Sequence, residues 1–328
     1  MLTIVLPTIN KARFVRRLVK WLLEKEFRGI LLVGDSSTNP NEAVETFAAL
    51  SAAEGYFNTV YNAFPGLDGT KTTQLLSQKI VTPYCAYLGD DDYLCPGAAD
   101  ECIHYLELHT EYAGAHGHAF SMQVTNDSEG QNTIKALEYY PLTTRTEESS
   151  ERRYLAHMQQ YTVTLFCVVR SEIFKRAFQD AHNLLDRAFS GELLPSAKMV
   201  IEGRFALLNN FFLVRQSHEQ RNFLPDNFDW ISGADWRESW LKYNELLIEQ
   251  LVQLSGIWHE SAASIVKAGM AAYIKQQMQI HINPEDSAND LNTLQKQAFS
   301  LVAPEGTANS SFLDTVKSLL RWPNGIRR

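Results

Sequence analysis

The first 110 residues alternate between two hydrophobic patterns. Continuous apolar and β-branched runs occupy positions 2–6, 30–35, 58–61 and 84–88, and such runs are typical of parallel strands that are buried on both faces. Between the first two runs, apolar residues recur every three or four positions over 14–23, which predicts an amphipathic helix. The alternation predicts an α/β fold with a Rossmann-like, mostly parallel sheet and helices on both faces.

Polar and helix-terminal residues indicate where these helices begin. Asn10 is suited to be the N-cap of the first helix, and Pro96 is suited to the first turn of the helix that follows the fourth strand. Periodic apolar positions predict two more helices, at about 41–53 and 70–80.

The pattern changes in the second half of the chain. The polar segment 126–153 lacks apolar periodicity and is predicted to be a loop or hairpin, whereas 162–169 is β-rich and a helical pattern follows it through Phe178. Further on, leucines fall near helical spacing. We therefore expect an α/β domain over residues 1–235 and a helical C-terminal region over 236–328.

Composition and net charge indicate which kind of molecule the protein binds. The chain has 328 residues, of which 45% are hydrophobic, and its net charge is -8. This charge argues against a general affinity for nucleic acid, because phosphates require lysines and arginines. The four cysteines form no CxxC pair, and no apolar run reaches about 20 residues. Met1 leads straight into the first predicted strand without a basic segment, so we do not expect a signal peptide. We expect a cytoplasmic protein that binds a small molecule at a local site.

Three adjacent aspartates end the fourth predicted strand. Asp90, Asp91 and Asp92 follow its apolar run, and Pro96 comes four residues after the last of them. Three neighbouring carboxylates repel one another and resist burial, so water or a cation must neutralise them. A hard divalent metal ion is the natural partner. The alternative is that the aspartates cap the helix that follows, where acidic residues are favoured.

The turn after the first strand excludes two familiar phosphate sites. It reads Pro7-Thr8-Ile9-Asn10-Lys11, so it contains neither GxGxxG nor GxxxxGK[ST]. A glycine-rich helix start therefore does not hold a pyrophosphate here. A metal ion anchored by one or two carboxylates can bridge diphosphate oxygens instead.

Three segments that follow one another along the chain, 3–8, 32–37 and 87–96, resemble the family 2 glycosyltransferases, which have the GT-A fold. The resemblance covers roughly residues 1–215. It implies a nucleotide-sugar donor, Mn²⁺ or Mg²⁺ bound at a DXD-type motif, and a glycan acceptor in polysaccharide biosynthesis.

The same resemblance assigns nucleotide contacts to particular positions. Pro7 and Thr8 at the first strand end and Asp35 at the second are expected to contact the nucleotide, and Asp68 and Lys71 lie where the family approaches the donor. A carboxylate at Asp35 can accept the imide N–H of a uracil, although another base remains open.

One position departs from the family pattern. When the motif is aligned on Pro96, Gly89 stands where the first aspartate is usual. The resemblance then implies that Asp91 is the main metal ligand, with Asp90 or Asp92 assisting it. Asp92 is our second metal candidate, and Asp90 is also a candidate contact to the donor.

Inverting sugar transfer needs a general base that takes the proton of the acceptor hydroxyl. By resemblance, the base is a carboxylate in a later segment that precedes a helix. The segment Ser190-Gly-Glu192-Leu-Leu194 fits best, and Glu192 is our candidate. Asp186 and Glu202 are the alternatives, and an exposed acid at a helix start is the plain structural explanation for Glu192.

Two further sets of polar residues attract attention. Arg215 and His218 follow an apolar run, where they either contact the diphosphate or acceptor or lie on the surface, with the arginine paired to Glu219. His116 and His118 have a spacing compatible with a metal ion on one strand face, although two ligands do not make a closed zinc centre.

The C-terminal segment carries an apolar helical stripe that includes Phe312, Val316, Leu319 and Leu320, with basic residues beside it. This stripe either docks on the inner face of a membrane or packs on its own chain or a second subunit of a homo-oligomer.

The sequence predicts a metal-dependent glycosyltransferase; a catalytically silent nucleotide-sugar-binding or scaffold protein is the alternative.

Overall fold

A computed structural model describes residues 1–126, 132–217, 226–282, 314, 316 and 317. The described residues form one nine-stranded sheet in the order β3-β2-β1-β4-β8-β6-β9-β5, with β7 paired to β6. The strands are β1 (Leu2–Thr8), β2 (Ile30–Asp35), β3 (Asn58–Ala63), β4 (Tyr84–Tyr87), β5 (Tyr93–Leu94), β6 (Tyr112–Asn126), β7 (Asn132–Tyr140), β8 (Val168–Arg170) and β9 (Arg204–Ser217).

The helices separate these strands and then continue beyond them. They are α1 (Ala12–Glu24), α2 (Pro40–Ser51), α3 (Gly69–Ser77), α4 (Pro96–Leu108), α5 (Ser150–Gln159), α6 (Ser171–Phe178), α7 (Leu194–Glu202), α8 (Asn227–Ser232), α9 (Trp236–Ser255) and α10 (His259–Ile282).

The predicted parallel sheet is formed by the first four strands. β1 lies between β2 and β4, β3 pairs with β2, and all three pairings are parallel. The register sets Thr8 beside Asp35, so the carboxyl ends of β1 and β2 lie side by side. The other half of the sheet is mixed, because β8 runs antiparallel to both β4 and β6, while β6 and β9 are parallel.

Close packing holds helix α3 against the sheet. A Cβ atom on Gly34 of β2 would lie 2.6 Å from Cγ2 of Thr72 and 2.9 Å from Cδ1 of Leu76, so only glycine permits this approach. Trp21 of α1 is fully buried and donates its indole N–H to the carbonyl of Leu94 at 2.7 Å. These contacts hold α3 on the parallel strands and α1 on β5.

Some predicted bounds are wrong. Asn10 does not cap α1, whose N-cap is Lys11. Instead, the Asn10 side chain accepts hydrogen bonds from the backbone N–H groups of Thr38 and Asn39, which joins the loops after β1 and β2. Of the loop or hairpin expected over 126–153, the segment contains β7, which pairs with the preceding β6, and it also contains the start of α5. In 162–169, regular strand begins only at Val168.

The C-terminal helices lie against the rest of the chain. α10 packs on α5 and α9, and α9 packs on α7. In the described part of the chain, no helix combines the length and the apolar character that crossing a bilayer requires. Val316 is fully buried; Phe312, Leu319 and Leu320 of the predicted stripe lie outside the described residues.

Candidate active site

Thr8 and Asp90 join the ends of β1 and β4. The Thr8 hydroxyl donates to Oδ2 of Asp90 at 2.7 Å, and the ammonium group of Lys11 lies 3.5 Å from Oδ1. Burial raises the pKa of Asp90 to about 7, although Lys11 opposes this and Asp91 adds to it. Asp90 therefore links the two strand ends, and Lys11 brings a positive charge to the crevice.

Asp35 is buried at the end of β2 and held by two donors. Its Oδ1 accepts the backbone N–H of Ser37 at 2.8 Å, and its Oδ2 accepts the Tyr61 hydroxyl at 3.1 Å. Burial and the Asp35 charge raise the pKa of Tyr61 to about 12, which keeps the phenol a donor. The Asp35 carboxylate is thus fixed in orientation beside Thr8.

Gly89 leaves room for the side chains of two aspartates. A Cβ atom on Gly89 would lie 2.9 Å from Oδ1 of Asp91 and 2.9 Å from Oδ2 of Asp92, so both oxygens border one small volume. The aspartates do not cap α4, whose N-cap is Cys95, with no side-chain cap and no acidic residue in the first turn. The capping explanation for the triplet is therefore wrong.

The carboxylate oxygens around Gly89 are suitable ligands for a hard metal ion. In the parts of the chain that the structure describes, no three or more His, Cys, Asp or Glu side chains gather as a metal centre. Mg²⁺-like ions, however, are commonly held by one or two carboxylates together with water and substrate phosphates. Asp91 and Asp92 supply carboxylate oxygens of that kind.

Asp92 is also half of a buried ion pair. Its Oδ2 accepts Nε–H of Arg215 at 3.0 Å, and its Oδ1 accepts the backbone N–H of Gln216 at 3.2 Å. The side chains of Asp92 and Arg215 are 0% and 12% exposed. β9 is therefore tied directly to the aspartate loop.

Aromatic side chains enclose the guanidinium group of Arg215. It lies 3.9 Å from the centroid of the Phe166 ring and donates to the Tyr140 hydroxyl at 2.8 Å. Burial alone lowers the pKa of Arg215, but Asp92 and Tyr140 more than reverse this and the net shift is upward. The alternative of a surface arginine is therefore wrong, and a contact of Arg215 with diphosphate or acceptor stays a prediction. His218 and Glu219 lie outside the described residues.

A second arginine supports the same loop. Arg17 of α1 donates to the carbonyl of Asp91 at 3.4 Å and to the side-chain oxygen of Gln216. Burial lowers the pKa of Arg17, which Tyr93 and Asp91 partly oppose. Arg17 and Arg215 thus place two partly buried positive charges beside the three aspartates.

Asp68 and Lys71 lie at the start of α3. Asp68 is the N-cap of this helix, and its Oδ1 accepts the backbone N–H groups of Thr70 at 2.9 Å and Lys71 at 3.0 Å. The Lys71 ammonium donates to the side chain of Gln74 at 2.8 Å. Both side chains therefore have local roles in the helix, and their predicted contact with a donor stays a prediction.

Glu192 lies in a short π-helix, Phe189–Leu193, that leads into α7. One of its carboxylate oxygens accepts the Tyr161 hydroxyl at 2.9 Å. The neighbouring Ser190 hydroxyl lies 3.4 Å from that of Thr70, which brings this turn to the start of α3. Glu192 also lines an open pocket of about 360 Å³, so its carboxylate can meet a ligand.

The alternatives to Glu192 have structural partners. Oδ1 of Asp186 accepts the indole N–H of Trp230 and the backbone N–H of Phe189, both at 3.0 Å. Glu202 forms a two-point ion pair with Arg176 at 2.8 and 2.7 Å. Of the three acids, Glu192 is the one that lines the pocket.

His116 and His118 bind separate partners. The buried His116 ring lies between the carbonyls of Gly117 at 2.9 Å and Thr143 at 2.8 Å, whereas Nε2 of His118 lies 3.4 Å from Asn209. The pairing of β6 with β9 shifts register between the two histidines. Among the described residues, no third ligand completes a metal centre with them.

The structure therefore brings Thr8, Asp35 and the aspartate triplet to one edge of the sheet. It adds residues that the sequence analysis did not select, namely Lys11, Arg17, Tyr61, Tyr140 and Tyr161. Lys11 lies in the turn after the first strand and was detectable from that position. The others come from distant segments, and no local pattern marks them.

Comparison with known proteins identifies the fold. No protein-family model and no curated protein matches the sequence. The crystal structure of S. aureus TarS 1-349 in complex with UDP-GlcNAc is similar, with a TM-score of 0.53 and 12% identity, covering 84% of this chain and 72% of that chain. The same TarS fragment in complex with UDP gives a TM-score of 0.52 at 12% identity, covering 85% and 72% of the two chains. These similarities confirm the predicted fold class: the chain has a GT-A-like α/β fold.

Proposed function

We propose that this protein is a glycosyltransferase that moves a sugar from a nucleotide-sugar donor to a hydroxyl group of a growing glycan. One observation carries the proposal: Thr8, Asp35 and the aspartate triplet meet at the carboxyl edge of a GT-A-like sheet. Ligands of open α/β sheets bind at that edge. The similar TarS structures contain UDP-GlcNAc or UDP, which supports a nucleotide-sugar here.

Asp35 is our candidate for recognition of the base. Ser37 and Tyr61 each donate one hydrogen bond to its carboxylate, and each carboxylate oxygen has a second lone pair. A base N–H, such as the imide of uracil, can donate a hydrogen bond to one of these remaining lone pairs. Pro7 and Thr8 lie on the adjacent strand end and complete this side of the proposed donor site.

Asp91 is our candidate metal ligand, with Asp92 beside it. When bound, Mn²⁺ or Mg²⁺ neutralises the charge that develops on a departing diphosphate. Arg215 and Gln216 hold Asp92 in place, and Asp90 joins the loop to Thr8. Lys11, which is 3.5 Å from Asp90, adds a positive charge that favours a diphosphate.

Glu192 is our candidate general base for inverting transfer. Its carboxylate accepts the Tyr161 hydroxyl, which fixes one oxygen, and the residue lines the open pocket. In the proposed step, an acceptor O–H donates its proton to the Glu192 carboxylate as the oxygen attacks the anomeric carbon. The bond from that carbon to the diphosphate then breaks, and the electron pair leaves with the diphosphate.

Calorimetric titration with UDP, GDP, ADP and CDP, with and without MnCl₂, tests the donor site. We expect one nucleotide to bind more tightly with manganese and Asp91→Ala to remove most of that gain. Glu192→Gln should keep nucleotide binding and abolish transfer. If no nucleotide binds, the proposal fails.

A silent nucleotide-sugar-binding protein is the second candidate, because Gly89 replaces the usual aspartate and Asp92 is committed to Arg215. Hydrolysis of the donor by the wild-type protein separates the two. Donor binding without hydrolysis or transfer to any acceptor supports the silent protein.

A further inference from the structure

A pocket opens where the sheet meets the C-terminal helices. We call it the aromatic pocket, and its volume is about 360 Å³, within the ~300–1,000 Å³ range of small-molecule sites. β7, the 161–163 segment and the π-helix form one side, and α8 and α10 form the other. Its lining includes Tyr140, Tyr161, Glu192, Asn227, Trp230, Tyr273 and Gln277.

The aromatic pocket lies next to the proposed donor site. Tyr140 lines it and accepts a hydrogen bond from Arg215, which in turn donates to Asp92. Glu192 lines it from the π-helix, whose Ser190 reaches the start of α3. A ligand in the pocket would therefore lie between the candidate general base and a wall that is tied to the aspartate loop.

The lining suits an uncharged, hydroxyl-rich ligand. Four aromatic side chains, Tyr140, Tyr161, Trp230 and Tyr273, are combined with the amide side chains of Asn227 and Gln277, and no lysine or arginine is among the described residues that line the pocket. Phosphate and carboxylate ligands need such cations. Aromatic rings instead pack on apolar C–H surfaces, and amides exchange hydrogen bonds with hydroxyl groups.

Hydrogen bonds and an aromatic contact hold α8 and α10 in place at the pocket. Trp230 donates its indole N–H to Asp186 at 3.0 Å, and Asn227 donates to the carbonyl of Gln277 at 3.3 Å. The Tyr273 ring packs edge-on against Tyr161 with centroids 5.1 Å apart. These contacts hold the Trp230 and Tyr273 rings and the Asn227 amide in place before any ligand arrives.

We propose that the aromatic pocket binds a neutral glycosyl unit of the acceptor and that α8 and α10 select it. The inference rests on the proposed glycosyltransferase function. In this arrangement the parallel strands bind the nucleotide-sugar donor, and α8 and α10 recognise the acceptor sugar. Asp186 acts as a positioning residue that orients Trp230.

The test applies the full-length protein to an array of neutral, uronate-bearing and phosphate-bearing oligosaccharides. The wild-type protein should retain neutral glycans preferentially. Gln277→Ala, which removes one amide, should weaken retention by about fivefold, the effect of a hydrogen bond worth ~1 kcal/mol. Gln279→Ala is the matched control, because Gln279 lies on the same helix and is exposed. Asn227→Ala provides a second variant at the pocket.

Nucleotide titration of each variant shows whether the fold and donor site are intact. Retention of no neutral glycan by the wild type, preference for acidic glycans, or equal retention by Gln277→Ala would each overturn the pocket proposal. The proposed enzyme function fails separately, if neutral glycans bind and no nucleotide does.

Discussion

Gly89 shows how one missing side chain shapes the candidate metal site. A Cβ atom there would lie 2.9 Å from carboxylate oxygens of both Asp91 and Asp92, so any other residue must displace them. We expect Gly89→Ala to weaken manganese-dependent nucleotide binding. It should also lower the free energy of unfolding by about 1–3 kcal/mol, the usual cost of overpacking. Calorimetry and urea unfolding measure the two effects.

Gly97→Ala is the control for that substitution. Gly97 lies in α4, and a Cβ atom there would have no neighbour within 4 Å. Alanine also has the higher helix propensity, so this variant should be neutral or slightly more stable. Unchanged manganese dependence in Gly89→Ala would show that the two carboxylates do not share a metal ion.

The Asp92–Arg215 pair should carry a large stability effect because it is buried. Arg215→Met leaves the Asp92 carboxylate without its charged partner, and breaking buried pairs typically costs about 3–5 kcal/mol. We expect a loss of that order in the free energy of unfolding, measured in urea. Adding Asp92→Asn should recover part of the loss, since it removes the unpaired charge. If the double variant is no more stable than Arg215→Met, the pair does not explain the loss.

At the scale of elements, Asp68 can have a structural role as the N-cap of α3 or a ligand-binding role, and two substitutions distinguish them. The Asp68 carboxylate caps the helix at two backbone N–H groups. Asp68→Ala should therefore lower the free energy of unfolding by about 0.5–2 kcal/mol, whereas Asp68→Asn should retain most of the cap. Nucleotide affinity measured on both variants then isolates any contact with the donor. A drop in affinity for Asp68→Asn, at unchanged stability, would support the predicted donor contact.

The predictability of each element follows from the range of its interactions. β1, β2 and β4 are buried apolar runs, so local hydrophobicity predicts them and places Thr8, Asp35 and Asp90 at their ends. The partner of Asp92 is different, since Arg215 lies 123 residues further along the chain and is brought near by the pairing of β9 with β5 and β6. The aromatic pocket likewise joins distant segments, and α5 carries buried polar residues that obscure its apolar periodicity.

For the molecule as a whole, two buried imidazoles connect stability with pH. Burial lowers the pKa of His116 from 6.5 to about 4, against opposing carbonyl contacts, and lowers the pKa of His157 well below 6.5, with Arg145 adding to the effect. Below pH 6.5 the unfolded chain gains protons at both positions, whereas in the folded chain His116 stays neutral down to about pH 4 and His157 stays neutral well below 6.5. The free energy of unfolding should therefore fall as the pH falls through this window.

His157→Leu tests this linkage. Both ring nitrogens of His157 are buried without a hydrogen-bond partner in the described structure, so an apolar replacement removes no such bond. The loss of stability between pH 7 and pH 5, measured by urea unfolding, should be smaller in the variant than in the wild type. His104→Leu, at an exposed position of α4, should leave the pH dependence unchanged. Equal pH dependence in His157→Leu and the wild type would contradict the assignment.

Gly269 couples the stability of the whole molecule to the aromatic pocket. A Cβ atom there would lie 2.4 Å from the ring of Tyr154 on α5, and the Tyr154 hydroxyl donates to the carbonyl of Val266 at 3.2 Å. Gly269→Leu should push α10 away from α5 and, because Tyr273 and Gln277 lie on α10, should distort the pocket. We expect a lower melting temperature by calorimetry and weaker neutral-glycan retention, with nucleotide affinity preserved. Ala268→Leu adds the same side chain at an exposed position and should change neither property. If Gly269→Leu destabilises the protein yet retains glycans at full strength, α10 does not form the acceptor site.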